Sequence, residues 1–433
     1  MKPKIAILGG GYAGMAASVE LAAADHAVTV FEAGKVLGGR ARKVVLDGRE
    51  VDNGQHLVIG AYGELLRLMQ LAGVEPDTVF LRQPLELVVE PGFRLACPKL
   101  PAPLHLAAGL LGARGLGVVA RWRLIRTIRA TQAANWLLPV DCTVAQWLTE
   151  QRQPVSLITR FWQPLTVAAL NTPIEKASAQ VLLNVLRDSL GGARAASDLL
   201  FPRVDFSALF PEAAARWVES HGGEVRLGVM VKSLRRTESG WQVGASEERY
   251  GAVICALPPH RAGMALHDLP QLAALAQQLE QWEYQPIVTV YLQYEPAVRL
   301  PRPMTGLADS PAQWVFDRSY SHATPGLIAV VISAEGEHTQ WSRETLIAAV
   351  ESELHLRLHL PVQAQWRGMI AEKRATFACV PGMQRPVNRT GEAGLWLAGD
   401  YTAGNDYDYP ATLEGAVRSG VAAARALLES MHE

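Results

Sequence analysis

The chain has 433 residues, 49% of them apolar and 19% charged, enough for a packed core in two or three domains or in one discontinuous pair. Its net charge of −1 argues against a partner held by bulk charge, nucleic acid above all. Cys97, Cys142, Cys255 and Cys379 stand far apart with no CxxC pair, which reads as scattered thiols of a reducing compartment rather than a disulfide framework or a metal site. The opening "MKPKIAILGGGYAG" reaches glycines before any long apolar region, unlike a signal peptide. The uncharged stretch "LPAPLHLAAGLLGA", 100–113, is shorter than the about 20 residues a spanning helix needs. A soluble or peripheral protein is expected.

In chain order, the first elements carry the strongest signal. Lys4 to Leu8 is a short apolar strand, Gly9, Gly11 and Gly14 make GxGxxG, and the spacing predicts a helix from Ala13 to Ala24. A second strand, Ala27 to Phe31, ends at Glu32. Gly9 permits the tight turn, Gly11 lets the backbone approach a pyrophosphate, and Gly14 lets helix and strand pack closely. The helix start, with Ala13 in its first turn, offers unpaired N–H groups to phosphates. Glu32, with Ala33 beside it, is placed to accept hydrogen bonds from a ribose. A second glycine turn, Gly38-Gly39-Arg40, follows six residues after Glu32; it reads as an ordinary hairpin or, with its arginine, as suiting a longer cofactor such as FAD, whose phosphates and flavin run past the first helix.

Next comes "EVDNGQHLVIGAY", 50–62. Asn53-Gly54 is a strong hairpin-turn signal. The same residues also suit a backbone laid close to a ligand. The residues alone leave both readings open.

From Pro91 to Val140 there is no Asp or Glu, while Arg94, Lys99, Arg114, Arg121, Arg123, Arg126 and Arg129 are interleaved with Leu, Val, Ile, Trp122 and Trp136. A solvated helix face and a membrane-surface segment both fit; the tryptophans favour the membrane surface. No nucleic-acid motif accompanies the charge. Further on, "GGEVRLGVMVKSLRRTESGWQVGASEERYGAVICALPP", 222–259, reads as strand pairs ending in a buried strand from Ala252 to Leu257. "PIVTVYLQY" and "GLIAVVISAEG" read as strands and "SRETLIAAVESELHLRL" as a helix, while 86–199 is mostly helical in pattern. At the end, Leu395 to Leu397 is a strand, Gly399-Asp400 closes it, and Thr412-Leu413 opens a long amphipathic helix.

The order GxGxxG, Glu32, Gly38-Gly39-Arg40, Gly54-Gln55-His56 and the closing "GLWLAGDYTAGNDYDYPATLEGA" resembles the FAD-dependent amine oxidase and carotenoid desaturase superfamily. The resemblance implies an α/β fold, a Rossmann-like FAD-binding domain joined to a second, mixed α+β substrate domain. The first is expected from 1–85, 200–260 and 385–433, the second from 86–199 and 261–384. It also implies that Gly54-Gln55-His56 passes beside the flavin ring, that Val231 contacts the adenine, that Asp400 sits near the ribityl and phosphate region, and that the helix opened by Thr412-Leu413 points at the flavin. The closing signature holds no cysteine, so FAD is expected to be non-covalent. "FWQPLTVAALNTPIEKASAQVLLNVLRDSL", "LLFPRVDFSALFPEAAARWVESHGGEVRLG" and "AEKRATFACVPGMQRP" narrow the resemblance to the squalene-associated FAD-dependent desaturases of hopanoid biosynthesis, understood as hydroxysqualene dehydroxylases.

That subfamily implies an enzyme reducing a C30 allylic alcohol to squalene with hydride from reduced flavin. The expected partners are the C30 isoprenoid, the inner face of the cell membrane, where a cytoplasmic protein would sit peripherally, and the other squalene-forming enzymes. His56, from its motif, and Asp406, from its place in the closing linker, are the candidate catalytic groups. The rivals are a carotenoid desaturase or flavin amine oxidase running the flavin oxidatively, and a lipid carrier of the same fold like the Rab GDP-dissociation inhibitors, which use no FAD. The intact Gly9, Gly11, Gly14, Glu32 and Asp400 argue against the carrier.

Overall fold

The computed structural model describes residues 2–404 and 407–432. Ile5–Leu8 is a four-residue apolar run, buried throughout, as the centre of a parallel sheet demands. Tyr12–Ala23 follows as a helix, buried on nearly every side, and returns the chain to the strand Val28–Glu32. Distant segments complete the sheet. Its order is Glu224–Leu227, Val28–Glu32, Ile5–Leu8, Ala252–Cys255, Leu395–Leu397, all parallel, with Ile5 opposite both Val28 and Ala252. The helix Leu413–Ser430 crosses Tyr12–Ala23 at close range: a Cβ on Gly420 would stand 2.1 Å from the Ala13 carbonyl oxygen.

A second sheet has seven strands in the order Trp366–Phe377, Tyr284–Gln293, Leu327–Ser333, Trp314–Asp317, Met304–Leu307, Glu86–Glu90, Phe93–Ala96. The period of two divides its faces. Ile328, Val330 and Ile332 pack with Val350 and Leu354 of the helix Arg343–Leu358, while Val331 and Ser333 turn to the opposite side and line a cavity. Ser342 caps that helix by accepting the Thr345 N–H.

One reading of the sequence is refined and one corrected. The stretch 86–199 is mostly helical, as its pattern reads, but it opens with the strands Glu86–Glu90 and Phe93–Ala96, so the basic apolar segment begins inside the sheet, where Arg94 pairs with Glu86. The hairpin turn lies at Asp47-Gly48, both at positive φ (49° and 79°), between Lys43–Leu46 and Arg49–Asp52; Asn53-Gly54 comes after that hairpin. An Asp-Gly pair twists in the sense two-residue hairpins require. Among the described residues no helix is long and apolar enough to cross a membrane.

Candidate active site

One cavity of about 1340 Å³ runs from the glycine loops into the second domain. At its first end, the sequence builds a cradle from backbone. Gly9 has φ 106°, and a Cβ there would stand 2.8 Å from the Ala256 carbonyl oxygen. A Cβ on Gly14 would fall 1.9 Å from the Gly9 carbonyl oxygen, so the helix can lie this close to the loop only because residue 14 is glycine. Gly11 differs. Its φ of −78° is ordinary and a Cβ there would meet nothing closer than Gly39 Cα at 3.7 Å. No protein atom requires glycine at this position, which fronts the cavity at a helix N-terminus without a side-chain cap. A pyrophosphate fits that cradle.

The second glycine turn is stitched to the first: Gly38 N–H donates to the Gly10 carbonyl oxygen at 2.9 Å, and Gly39 (φ 62°) lies against Gly11. Glu32 lines the cavity with Ala13 and Ala33. Its two oxygens each accept a loop N–H, from Gly10 and Gly34, both at 2.7 Å. Each keeps a further lone pair for a ribose hydroxyl. Val231 also lines the cavity, its segment tied to the same loop by Gly228 N–H to Gly34 and Val229 N–H to Glu32, both at 2.9 Å. Arg40 and Asp400 form an ion pair across the cavity wall, and Arg40 also donates to the Ala375 carbonyl.

Gly54, Gln55 and His56 line the cavity but do different work. The His56 ring meets Phe206 edge-on, 5.0 Å between centroids. Burial, then the Arg40 charge, pushes its pKa down to about 4, so it stands as a neutral imidazole at pH 7. It can donate a hydrogen bond there but holds no spare proton. The Gln55 side-chain oxygen accepts from Arg318 at 2.7 Å. Arg318, from the second sheet's domain, also donates to Asp52 at 3.0 Å, and both charged groups are buried. Asp52 additionally accepts the Phe206 N–H at 3.0 Å, and its carbonyl accepts the Tyr291 hydroxyl at 2.9 Å. Burial raises the Asp52 pKa and Arg318 pulls it back. His322 Nε2 lies 3.7 Å from Asp52, but burial and Arg318 lower its pKa to about 3, so it adds no charge. Arg318 lies in no motif; it opens a short turn in the polar run Asp317-Arg318-Ser319-Tyr320, and nothing local in the sequence marks it as Asp52's partner.

Gly399, Asp400, Thr412 and Leu413 also line the cavity. Thr412 caps the helix Leu413–Ser430 by accepting the Gly415 N–H at 3.1 Å. Buried Glu414 accepts the N–H groups of Glu64 and Leu65, at 3.1 and 3.0 Å, capping the helix Gly63–Leu71. Asp406 lies outside the described residues. Among those described, no group of acids, histidines and cysteines is arranged for a metal. Cys97 lines the cavity, in its apolar arm; Cys255 and Cys379 are buried. No cysteine stands in the closing signature.

Beyond the cradle the cavity becomes hydrocarbon: Leu87, Phe93, Leu106, Ile128, Phe161, Leu182 and Trp314 face it. The dinucleotide cradle opens directly into this apolar chamber, an arrangement that fits a flavin-dependent oxidoreductase. Residues 12–428 match the family described as flavin containing amine oxidoreductase, and the chain belongs to it. FAD is the cofactor for which this cradle is built. The chain is 28% identical to the hydroxysqualene dehydroxylase of Rhodopseudomonas palustris over 442 residues, covering 99% of each. It is 27% identical to that of Sinorhizobium fredii, covering 98% of each, and 24% identical to the 15-cis-phytoene desaturase of Synechococcus elongatus, covering 99% of this chain and 97% of that one. A putrescine oxidase variant, 19% identical with a TM-score of 0.71 over 99% of each chain, shares the fold.

Proposed function

We propose that the protein reduces hydroxysqualene to squalene, replacing an allylic hydroxyl by hydrogen. The observation that carries this is the continuity of the cofactor cradle with a large apolar arm; three full-length relatives named hydroxysqualene dehydroxylase support it. Bound in the cradle, reduced FAD would supply a hydride and a proton, the hydroxyl leaving as water and the flavin ending oxidised. The chain supplies the surroundings. The Leu413–Ser430 N-terminus opens on the cavity and favours negative charge there. The apolar walls exclude water, and the neutral His56 ring stands in the cavity as a hydrogen-bond donor. Given hydroxysqualene and chemically reduced flavin without oxygen, the protein should release squalene, with hydrogen delivered to the former carbinol carbon. A phytoene arm with oxidised flavin tests the desaturase rival. Coloured product there, with hydroxysqualene untouched, overturns the proposal.

The basic apolar segment supports docking on an anionic membrane. Exposing a C30 hydrocarbon to water costs on the order of 20 kcal/mol at about 0.8 kcal/mol per methylene, so the substrate is best taken from a bilayer. The helices Leu104–Gly112 and Val118–Ala133 form part of the cavity wall and also expose Leu104, Leu111, Val118 and Trp122, the last two at 82% and 58%. Arg126 lies over the Trp122 ring, 5.5 Å from its centroid. The charges are not equivalent: Arg121 is tied to the Ala113 carbonyl, Arg129 faces the cavity, and Trp136 is buried. Arg114→Glu with Arg126→Glu and Trp122→Ser should therefore weaken sedimentation with phosphatidylserine vesicles at least about tenfold, each basic residue contributing about 1 kcal/mol at such a surface. Unchanged sedimentation at low salt removes the membrane reading.

A further inference from the structure

A polar cluster interrupts the apolar lining where the closing signature meets the helix Ala179–Leu190. Its anchor is Arg418. Arg418 Nε donates to Glu414 at 2.7 Å, and Glu414 is in turn held by the amides of Glu64 and Leu65. With one side so fixed, Arg418 Nη1 donates to the Tyr409 hydroxyl oxygen at 2.8 Å. The phenol therefore accepts on one side and has its single hydrogen to give elsewhere. Tyr409 and Asp188 both line the cavity, and the Asp188 charge is close enough to help raise the pKa of the Tyr409 phenol. The Asp188 carboxylate has a second tie, to the neighbouring Arg187 Nε at 2.9 Å. The Tyr409 carbonyl is held by Arg385, which fixes the ring's base.

We propose that Tyr409 and Asp188 together recognise the hydroxyl group of the substrate: the phenol O–H donates to the substrate oxygen, and the carboxylate accepts the substrate's own hydrogen. This rests on the dehydroxylase reading above and names the residues that select alcohol over hydrocarbon. An alcohol entering a hydrocarbon chamber gives up its hydrogen bonds to water, and an unpaired polar group there weakens binding. A donor and an acceptor side by side restore both bonds. When the hydroxyl has gone, Tyr409 and Asp188 satisfy each other, so a hydrocarbon product gains nothing from the pair and is held less tightly. Burial pushes the Tyr409 pKa up to about 12, so the phenol stays protonated and remains a donor across the working pH range.

The test uses the FAD-loaded, oxidised protein, in which binding is measured without turnover. Hydroxysqualene and squalene are titrated from detergent micelles and followed by tryptophan fluorescence. The wild type should bind the alcohol more tightly than the hydrocarbon. Tyr409→Phe, which deletes one oxygen atom, should bind hydroxysqualene about tenfold more weakly, with squalene affinity and flavin content unchanged. Asp188→Ala is the second variant and should show the same selective loss. Equal loss for both ligands, or no loss for the alcohol, overturns the assignment of the pair. A wild type that neither prefers the alcohol nor converts it under reducing conditions overturns the dehydroxylase reading itself. Conversion by the wild type with Tyr409→Phe binding unchanged overturns this inference alone.

Discussion

Gly11→Val should purify folded and colourless, without FAD. The backbone at Gly11 has an ordinary φ of −78°, and a Cβ there approaches only Gly39, at van der Waals distance, so the fold has no quarrel with a side chain. The valine's isopropyl group would instead project into the cavity at the uncapped helix N-terminus, where the pyrophosphate is to lie. We expect FAD affinity to fall at least a hundredfold, about 2.8 kcal/mol at 1.4 kcal/mol per tenfold, read as flavin absorbance per chain and by titration of the apoprotein. Gly14→Ala is the contrast. Its Cβ would sit 1.9 Å from the Gly9 carbonyl oxygen, so that variant should lose folded protein and not only cofactor. A Gly11→Val protein with full flavin content would show that the cradle lies elsewhere.

Arg318→Ala should destabilise the protein by about 3–5 kcal/mol in chemical unfolding, because it strands the buried Asp52 carboxylate and frees the Gln55 oxygen. The pH dependence gives the sign. The Asp52 pKa is already raised by burial, and Arg318 is the charge that holds it down. Without Arg318 the folded-state value rises further above the unfolded one. A raised carboxyl favours the folded state when protonated, so the deficit appears as pH rises through the folded pKa and shrinks as pH falls. Arg318→Ala combined with Asp52→Asn should recover part of the loss at neutral pH. A deficit that is flat with pH would mean that the ion pair is not its origin.

The nucleotide signature was readable because its constraints are local. Strand, glycine turn, helix and acid follow one another within a short stretch, and each residue's need is set by neighbours a few positions away. The closing helix and the strands Tyr284–Gln293 and Leu327–Ser333 were legible for the same reason, since apolar runs and caps declare them. The edge strand Trp366–Phe377 was harder. "WRGMIAEKRATF" is half polar, because an edge strand keeps charged residues on its solvent side. Gln55 and His56 read as one motif, yet the structure sends one to Arg318 and leaves the other against Phe206.

What the sequence determined by itself was therefore the chemistry at its two ends: a dinucleotide cradle with a flavin-type extension, and the class of fold that carries it. Tertiary structure decided the rest. Asp52 and Arg318 are 266 residues apart, and Glu414 reaches 349 residues back to cap at Leu65. Tyr409 meets Arg418 within one segment, but Asp188 arrives from a different helix. Such pairings leave no periodicity in the chain, because a buried ion pair or a hydroxyl site needs only two or three groups brought together. The folded sheets bring them together, and they also join the cradle and the apolar arm into one cavity, which no single stretch of residues encodes.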